Sequence, residues 1–322
     1  MNSWQQVPEP YRKAVEQIGS AQQILLVTHV RPDGDAIGSL LGMGLSLLEH
    51  GKSVHMVSVD GVPPAQKKLE GSQFIIQSPP ATMDMSIVVD CSDRERAGKA
   101  LEMIPIPDLN IDHHITNQNF ARVNLVNPQA VATAEIIVDL LTYLDYEISK
   151  PTAEALLTGI LTDTIGFRTS NVTAKALHMA ANLMSAGADL SKLYHQSLVQ
   201  RSFTALRYWG AGLANLEQED GMVWATLTQA DRQAIGYPGK DDADLIQLLS
   251  TIEDIDISLV FVEQPNGRVK VSWRARPGLD VSKIAVKFGG GGHPAAAGAE
   301  LPGDIKEVRT AVLSETRLLL EI

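Results

Sequence analysis

The stretch Ile24-Leu25-Leu26-Val27-Thr28-His29-Val30-Arg31-Pro32-Asp33-Gly34-Asp35 decides the fold. Its first five residues are a short apolar, partly β-branched run, the pattern of a fully buried strand. Pro32 and Gly34 then force a turn. From Asp35 an apolar helical pattern begins, with Ile37, Leu40, Leu41, Gly44, Leu45 and Leu48 falling on one side. Strand, turn and helix make half of a βαβ unit, so His29, Asp33 and Asp35 sit at the carboxyl end of a strand, where open α/β sheets collect ligands. One imidazole and two carboxylates in seven residues suit a hard divalent metal. Taken alone, Asp35 also fits a helix N-cap, and Asp33-Gly34 fits ordinary turn chemistry.

Acidic and imidazole residues recur at similar places downstream. Ser86-Ile87-Val88-Val89 is a second buried run and stops at Asp90, while Ile111 leads into Asp112-His113-His114. Asp163 lies in a segment that reads as a buried helix starting near Pro151, and a charge in so apolar a helix requires a partner. Each has a bland reading as a turn, a solvated loop or a water-facing helix position. Together they point to one metal site at the carboxyl edge of a parallel sheet.

His-x-x-x-Asp-x-Asp, an Asp after a hydrophobic strand, Asp-His-His, and an Asp in Gly-x-x-x-Asp-Thr-x-x-Phe resemble the four motifs of the DHH phosphoesterases. The run Phe288-Gly289-Gly290-Gly291-Gly292-His293-Pro294-Ala295-Ala296-Ala297-Gly298 is similar to the glycine-rich signature of the DHH-associated C-terminal domain. Within the family, size and domain pairing resemble the nanoRNase/pAp phosphatase type. The resemblance implies that His29, Asp33 and Asp90 hold one ion and Asp35, Asp90, His113 and Asp163 a second, with Asp90 as the catalytic bridge. Oxygen-rich ligation with two imidazoles fits two Mn²⁺ ions, with Mg²⁺ or Co²⁺ as substitutes. Water, not a side chain, is then the nucleophile, and the ions neutralise charge on the phosphate. His114 resembles the family histidine that contacts the phosphate, able to hydrogen-bond it or protonate the leaving group. Asp112 reads as the group that orients a histidine. Arg31 and Arg168 lie near the motifs, although solvated surface positions fit them equally well.

The chain has 322 residues, 44% of them hydrophobic, which can fill two cores. We expect an α/β architecture: a parallel-sheet catalytic domain over 1–188 with flanking helices, a helical linker over 189–206, and a smaller α+β domain over 207–322. No apolar run approaches the ~20 residues that span a bilayer, and no signal pattern opens the chain, so a cytoplasmic location is expected. The single cysteine, Cys91, excludes an internal disulfide and reads as a small buried hydrophobe.

In the second domain Met222–Leu227 reads as a strand, 242–252 as a helix, and 257–262 and 269–273 as strands joined by a hairpin at Asn266-Gly267. Asp280 reads as the cap of a helix ending in the glycines. A net charge of −11 argues against wrapping long duplex nucleic acid. Between Asn266 and His293, however, six basic residues meet one acidic residue. By resemblance Arg274 and the segment Gly290, Gly291, Gly292 and His293 grip a phosphate, since glycine lets backbone N–H groups approach an anion. The family's Ser-Leu-Arg-Ser is here Ser272-Trp273-Arg274-Ala275, which keeps the arginine and lacks one hydroxyl. Trp273 fits either base stacking or, by strand alternation, the core.

The expected activity is hydrolysis of short single-stranded RNA to mononucleotides and of the nucleoside bisphosphate 3′-phosphoadenosine 5′-phosphate, in a monomer or a homodimer. A phosphodiesterase of linear or cyclic dinucleotide messengers is the alternative. The glycine signature argues against a pyrophosphatase or exopolyphosphatase, and the acidic balance against a RecJ-like DNA exonuclease. A nucleotide sensor without catalysis is disfavoured because every expected metal position is occupied.

Overall fold

The computed structural model describes residues 7–80 and 82–320. The chain divides into two compact units, Met1–Gln200 and Arg201–Ile322. In the first, α1 (Glu9–Ser20) leads into β1 (Gln23–Val27), α2 (Gly34–Glu49), β2 (Ser53–Val57), β3 (Ile75–Ile76), β4 (Met85–Val89), β5 (Leu109–Asp112) and β6 (Val123–Val126). The helices α3 (Thr133–Tyr143), α4 (Lys150–Asp163), α5 (Ala174–Ser185) and α6 (Leu190–Tyr194) follow. The six strands form one sheet in the order β3-β2-β1-β4-β5-β6, and every pairing is parallel. That order reverses direction between β1 and β4, the topological switch point at which a ligand crevice opens.

Period-2 alternation, with both faces covered, explains why β1 is apolar from Ile24 to Val27. Ile24 and Leu26 enter the core that contains Ile37, Leu40, Ile136 and Leu156, from α2, α3 and α4. Leu25 and Val27 enter a smaller core with Val57, Val88 and Leu101 on the other face. Cys91 is buried in that smaller core; its Sγ donates to Asp93 O at 3.0 Å, and burial pushes the thiol up to about 12. Residues read as a linker from 189 divide differently: α6, capped by Asp189, and the π-helical turn His195–Val199 belong to the first unit.

The second unit comprises α7 (Phe203–Ala214), β7 (Glu217–Glu219), β8 (Met222–Leu227), α8 (Gln229–Ile235), α9 (Leu245–Leu249), β9 (Ile257–Glu263), β10 (Arg268–Ala275), α10 (Ser282–Lys287), β11 (Gly291–His293), β12 (Ala296–Pro302) and α11 (Ile305–Arg317). Its sheet runs β11-β12-β10-β9-β8-β7, with only β8 and β9 parallel. Val269, Val271 and Trp273 face one core with Val308 and Val312, and Val260 and Val262 face another with Tyr208 and Leu245. Trp273 is fully buried and donates Nε1–H to Thr316 Oγ1 at 3.1 Å, which makes it a core residue and not a stacking platform. The helix expected over 242–252 runs only from Leu245 to Leu249; it starts late because Ala243 and Asp244 adopt left-handed φ of 53° and 65°. Val281, not Asp280, occupies the N-cap position of α10, but the Asp280 carboxylate accepts from Ser282 N, the first N–H of that helix, at 3.1 Å. No helix among the described residues is long and apolar enough to cross a membrane.

Candidate metal centre

Every DHH-type ligand candidate of the first unit leaves a strand or helix end beside the switch point. His29 follows β1, and Asp90 follows β4 in the left-handed region at φ 56°. A left-handed aspartate is a strained backbone position of the kind held at functional sites. Asp33, not Asp35, is the N-cap of α2: its carboxylate accepts from Asp35 N at 3.1 Å and Ala36 N at 3.0 Å. Asp35 sits in the first helical turn, fully buried. Asp112 ends β5, with His113 and His114 next in the chain, and Asp163 is the last residue of α4.

Three overlapping groups emerge, each with ligand atoms within 4.8 Å of one another: His29, Asp33 and Asp90; Asp35, His113 and Asp163; and Asp90, His113 and His114. Asp90 belongs to two of them and His113 to two, so these residues link all three. Asp90 Oδ2 lies 3.5 Å from His29 Nε2, and its Oδ1 lies 3.9 Å from His113 Nε2. His113 Nε2 is also 3.2 Å from Asp163 Oδ2. Behind the rings, His29 Nδ1 contacts Val30 O at 2.9 Å and His113 Nδ1 contacts Ala130 O at 3.4 Å. A carbonyl at Nδ1 selects the tautomer whose Nε2 can ligate a metal. His114 differs, since its Nδ1 is held by Asp112 Oδ1 at 2.7 Å.

The charges explain why this crevice suits cations. Burial, then the charges of Asp90, Asp163 and Asp33, raise the Asp35 carboxyl well above its ordinary range. Burial, with Asp33 and Asp90, does the same to Asp163. Burial would raise Asp90 too, but the hydrogen bond from His29 and the imidazoles of His113 and His114 outweigh it and hold this carboxyl low. Burial lowers His114, yet the Asp112 bond and the charge of Asp90 prevail and raise it to about 9. Divalent cations are the natural counter-charge for an acidic set buried at Asp35 and Asp90, half-buried at Asp163 and open at Asp33, with imidazole donors beside it.

Several supports are invisible in the residue pattern. The N–H groups of Thr133 and Ala134, at the start of α3, donate to Asp35 Oδ2 and Oδ1 at 2.7 and 3.1 Å. Ser39 donates to Asp35 Oδ1 at 3.2 Å, and Thr133 Oγ1 donates to Asp90 Oδ1 at 2.8 Å. Asn117 Nδ2 donates to Asp112 Oδ2 at 2.6 Å, fixing the carboxylate behind His114. Only Ser39, one helical turn after Asp35, had a readable signal. Arg31 and Arg168 are exposed.

In the second unit, Arg274 on β10 pairs with Ala296 on β12, which pairs in turn with His293 on β11. Directly opposed residues share a face, so Arg274 and His293 flank one small residue on the same side of the sheet. Arg274 is partly buried, which lowers its pKa against the pull of Asp242 and Asp244, and its Nη1 donates to Trp273 O at 2.9 Å. The glycine run is not a free loop. A Cβ on Gly290 would lie 2.1 Å from Gly298 O, and one on Gly292 would lie 2.4 Å from Ala296 O. Close pairing with β12 therefore demands these two glycines before any ligand does. The local positive charge is also mostly neutralised: Arg268 pairs with Glu300, Arg276 with Asp256, Lys283 with Asp280 and Lys287 with Glu315.

The N-terminal domain model of the DHH family matches residues 23–160, and the DHHA1 domain model matches residues 232–318. The bifunctional oligoribonuclease and PAP phosphatase NrnA of Thermus thermophilus is 36% identical over 302 residues, covering 91% of this chain and 89% of that protein. A cyclic-di-AMP phosphodiesterase, PdeA of Listeria monocytogenes, is 27% identical over 312 residues, covering 89% of this chain but 46% of that protein. The crystal structure of an exopolyphosphatase-related protein from Bacteroides fragilis matches with a TM-score of 0.89 at 25% identity, over 97% of this chain and 98% of that one. With both domain models in order and a relative of this identity over nine-tenths of its length, the chain belongs to the DHH family and carries a DHHA1 domain after its DHH domain.

Proposed function

We propose that this protein is a metal-dependent phosphohydrolase that degrades very short single-stranded RNA to mononucleotides and converts 3′-phosphoadenosine 5′-phosphate to AMP. The observation that carries this reading is the sharing of Asp90 between two ligand groups at the switch point of a parallel sheet. The name of the Thermus thermophilus relative supports the substrate class.

In this reading His29, Asp33 and Asp90 hold one ion, while Asp35, Asp90, His113 and Asp163 hold the other. The donor set favours Mn²⁺, with Mg²⁺ or Co²⁺ as substitutes. When bound, two such ions polarise a phosphate and lower the pKa of water near neutrality. Asp90 orients both sets of ligands. Asp112, braced by Asn117, holds His114 so that its imidazole can hydrogen-bond the scissile phosphate or give a proton to the departing oxygen. Arg274, with 290–293, grips a second phosphate or the nucleotide that is not cut. A homodimer is compatible with this chemistry, and the net charge of −11 disfavours long duplex substrates.

The Listeria monocytogenes relative favours a second reading, hydrolysis of linear or cyclic dinucleotide messengers. One Mn²⁺ assay comparing a labelled RNA dinucleotide, 3′-phosphoadenosine 5′-phosphate, linear and cyclic di-AMP and pyrophosphate separates them. Highest kcat/KM on the RNA dinucleotide or the bisphosphate is expected. Preference for cyclic di-AMP selects the second reading, and preference for pyrophosphate overturns both.

A further inference from the structure

We infer that Thr133 is a positioning residue that ties the two ligand groups together, an inference that rests on the metal-dependent reading above. It is fully buried at the first position of α3, where Ala132 offers no capping side chain. The helix is capped instead from α2: the Thr133 N–H donates to Asp35 Oδ2 at 2.7 Å. Its hydroxyl donates to Asp90 Oδ1 at 2.8 Å. One residue thus grips a carboxylate grouped with His113 and Asp163 and the carboxylate grouped with His29 and Asp33.

The need for such a grip follows from torsional softness. The terminal torsion of an aspartate is broad and roughly two-fold, so Asp90 could turn its plane and lose one of its two groups. Asp90 Oδ2 faces His29, while Oδ1 faces His113 and His114. The hydroxyl on Oδ1 fixes that plane. Thr133 is itself stiff, being β-branched, and its backbone is anchored by the α3 ladder. Its hydroxyl and N–H therefore set the spacing of the two carboxylates.

Thr133→Val removes the hydroxyl at nearly constant shape and keeps the N–H bond to Asp35. Thr133→Ala serves the same purpose without the second methyl group, should valine not fold, and Thr133→Ser restores the donor. Manganese affinity is read from free Mn²⁺ by electron paramagnetic resonance, the coupled signal of a bound pair from the same spectra, and kcat and KM from an RNA dinucleotide. We expect Val and Ala to lose on the order of 10–100-fold in Mn²⁺ affinity and in kcat, the size usual for groups that orient metal ligands, with KM changed by less than about threefold. The coupled signal should weaken in both and return in Ser. A residue that only satisfied a buried hydroxyl would lower thermal stability and leave these readings unchanged. Wild-type affinity and an intact coupled signal in Val or Ala overturn the inference. A wild-type protein that binds no Mn²⁺ pair, or leaves the dinucleotide uncut, instead overturns the metal-dependent reading itself.

Discussion

A Cβ on Gly159 would lie 2.6 Å from Asp35 Oδ1 and 2.8 Å from the Ala134 Cβ. The glycine of the Gly-x-x-x-Asp motif therefore clears the space in which α4 passes a buried carboxylate of α2. Gly159→Ala should cost about 1–3 kcal/mol through overpacking, despite the better helix propensity of alanine. It should also displace Asp35 and weaken metal binding. Thermal unfolding with and without Mn²⁺ checks both, and a stabilised, fully metal-competent variant would refute the crowding.

Asp90 joins two ligand groups from a left-handed backbone position. Asp90→Asn keeps a residue that tolerates that conformation but removes the charge. Turnover of an RNA dinucleotide should fall by at least about a hundredfold, with less bound manganese by elemental analysis. Unchanged metal content would remove Asp90 from its bridging role.

Metal and pH are linked through Asp35 and Asp163. Both carboxyls are raised above the unfolded value, so the metal-free folded state binds more protons than the unfolded chain between the two pKa values. Metal-free stability should then fall as pH rises through that window, because the bare carboxylates are buried, wholly or in part, away from water and repel one another. Asp90, held low, has the opposite sign: its stabilisation is present above the unfolded carboxyl value and is lost only in acid. Cations held there would replace the protons on Asp35 and Asp163, so the gain in Tm from MnCl₂ over a chelated sample should be small near about pH 5 and grow toward about pH 8. Scanning calorimetry across that range measures it; a gain independent of pH would contradict the linkage.

Arg274 is the charged side chain of the β10-β12-β11 row. Arg274→Ala should raise KM roughly tenfold or more, the worth of a charge-assisted hydrogen bond, while metal content and kcat change little. Arg274→Lys should restore only part of the binding, since a point charge lacks the planar fork. An unchanged KM in the alanine variant would end the phosphate-gripping assignment.

How far the sequence reveals this molecule depends on which force shapes each part. The strands that end at His29 and Asp90 were legible because burial on both faces leaves uninterrupted apolar runs. Asp33 and Asp35 were legible as a pair, but not which of them caps α2, since both occupy plausible first-turn positions. β11 and β12 carry glycine and alanine where β-branched residues usually announce a strand, and pairing alone makes them one. Asp242 was read as a helix residue although the chain turns left-handed at Ala243 and Asp244 immediately after it. Thr133 is an ordinary residue type whose role exists only because distant segments of the chain meet, and Asn117 reaches Asp112 only through the turn that follows β5. The basic stretch before His293 misled for a related reason: most of its partners lie elsewhere in the sequence.

The row Arg274, Ala296, His293 lies back to back with Trp273, which fills the core beneath the same strand. Strand side chains alternate strictly, so sliding β10 by a single residue would drive the guanidinium into the interior and lift the indole into water. A mispaired second unit could not keep the Arg274 row on its face while losing its packing. That face is proofread by folding itself, because the register that buries Trp273 is the one that presents Arg274.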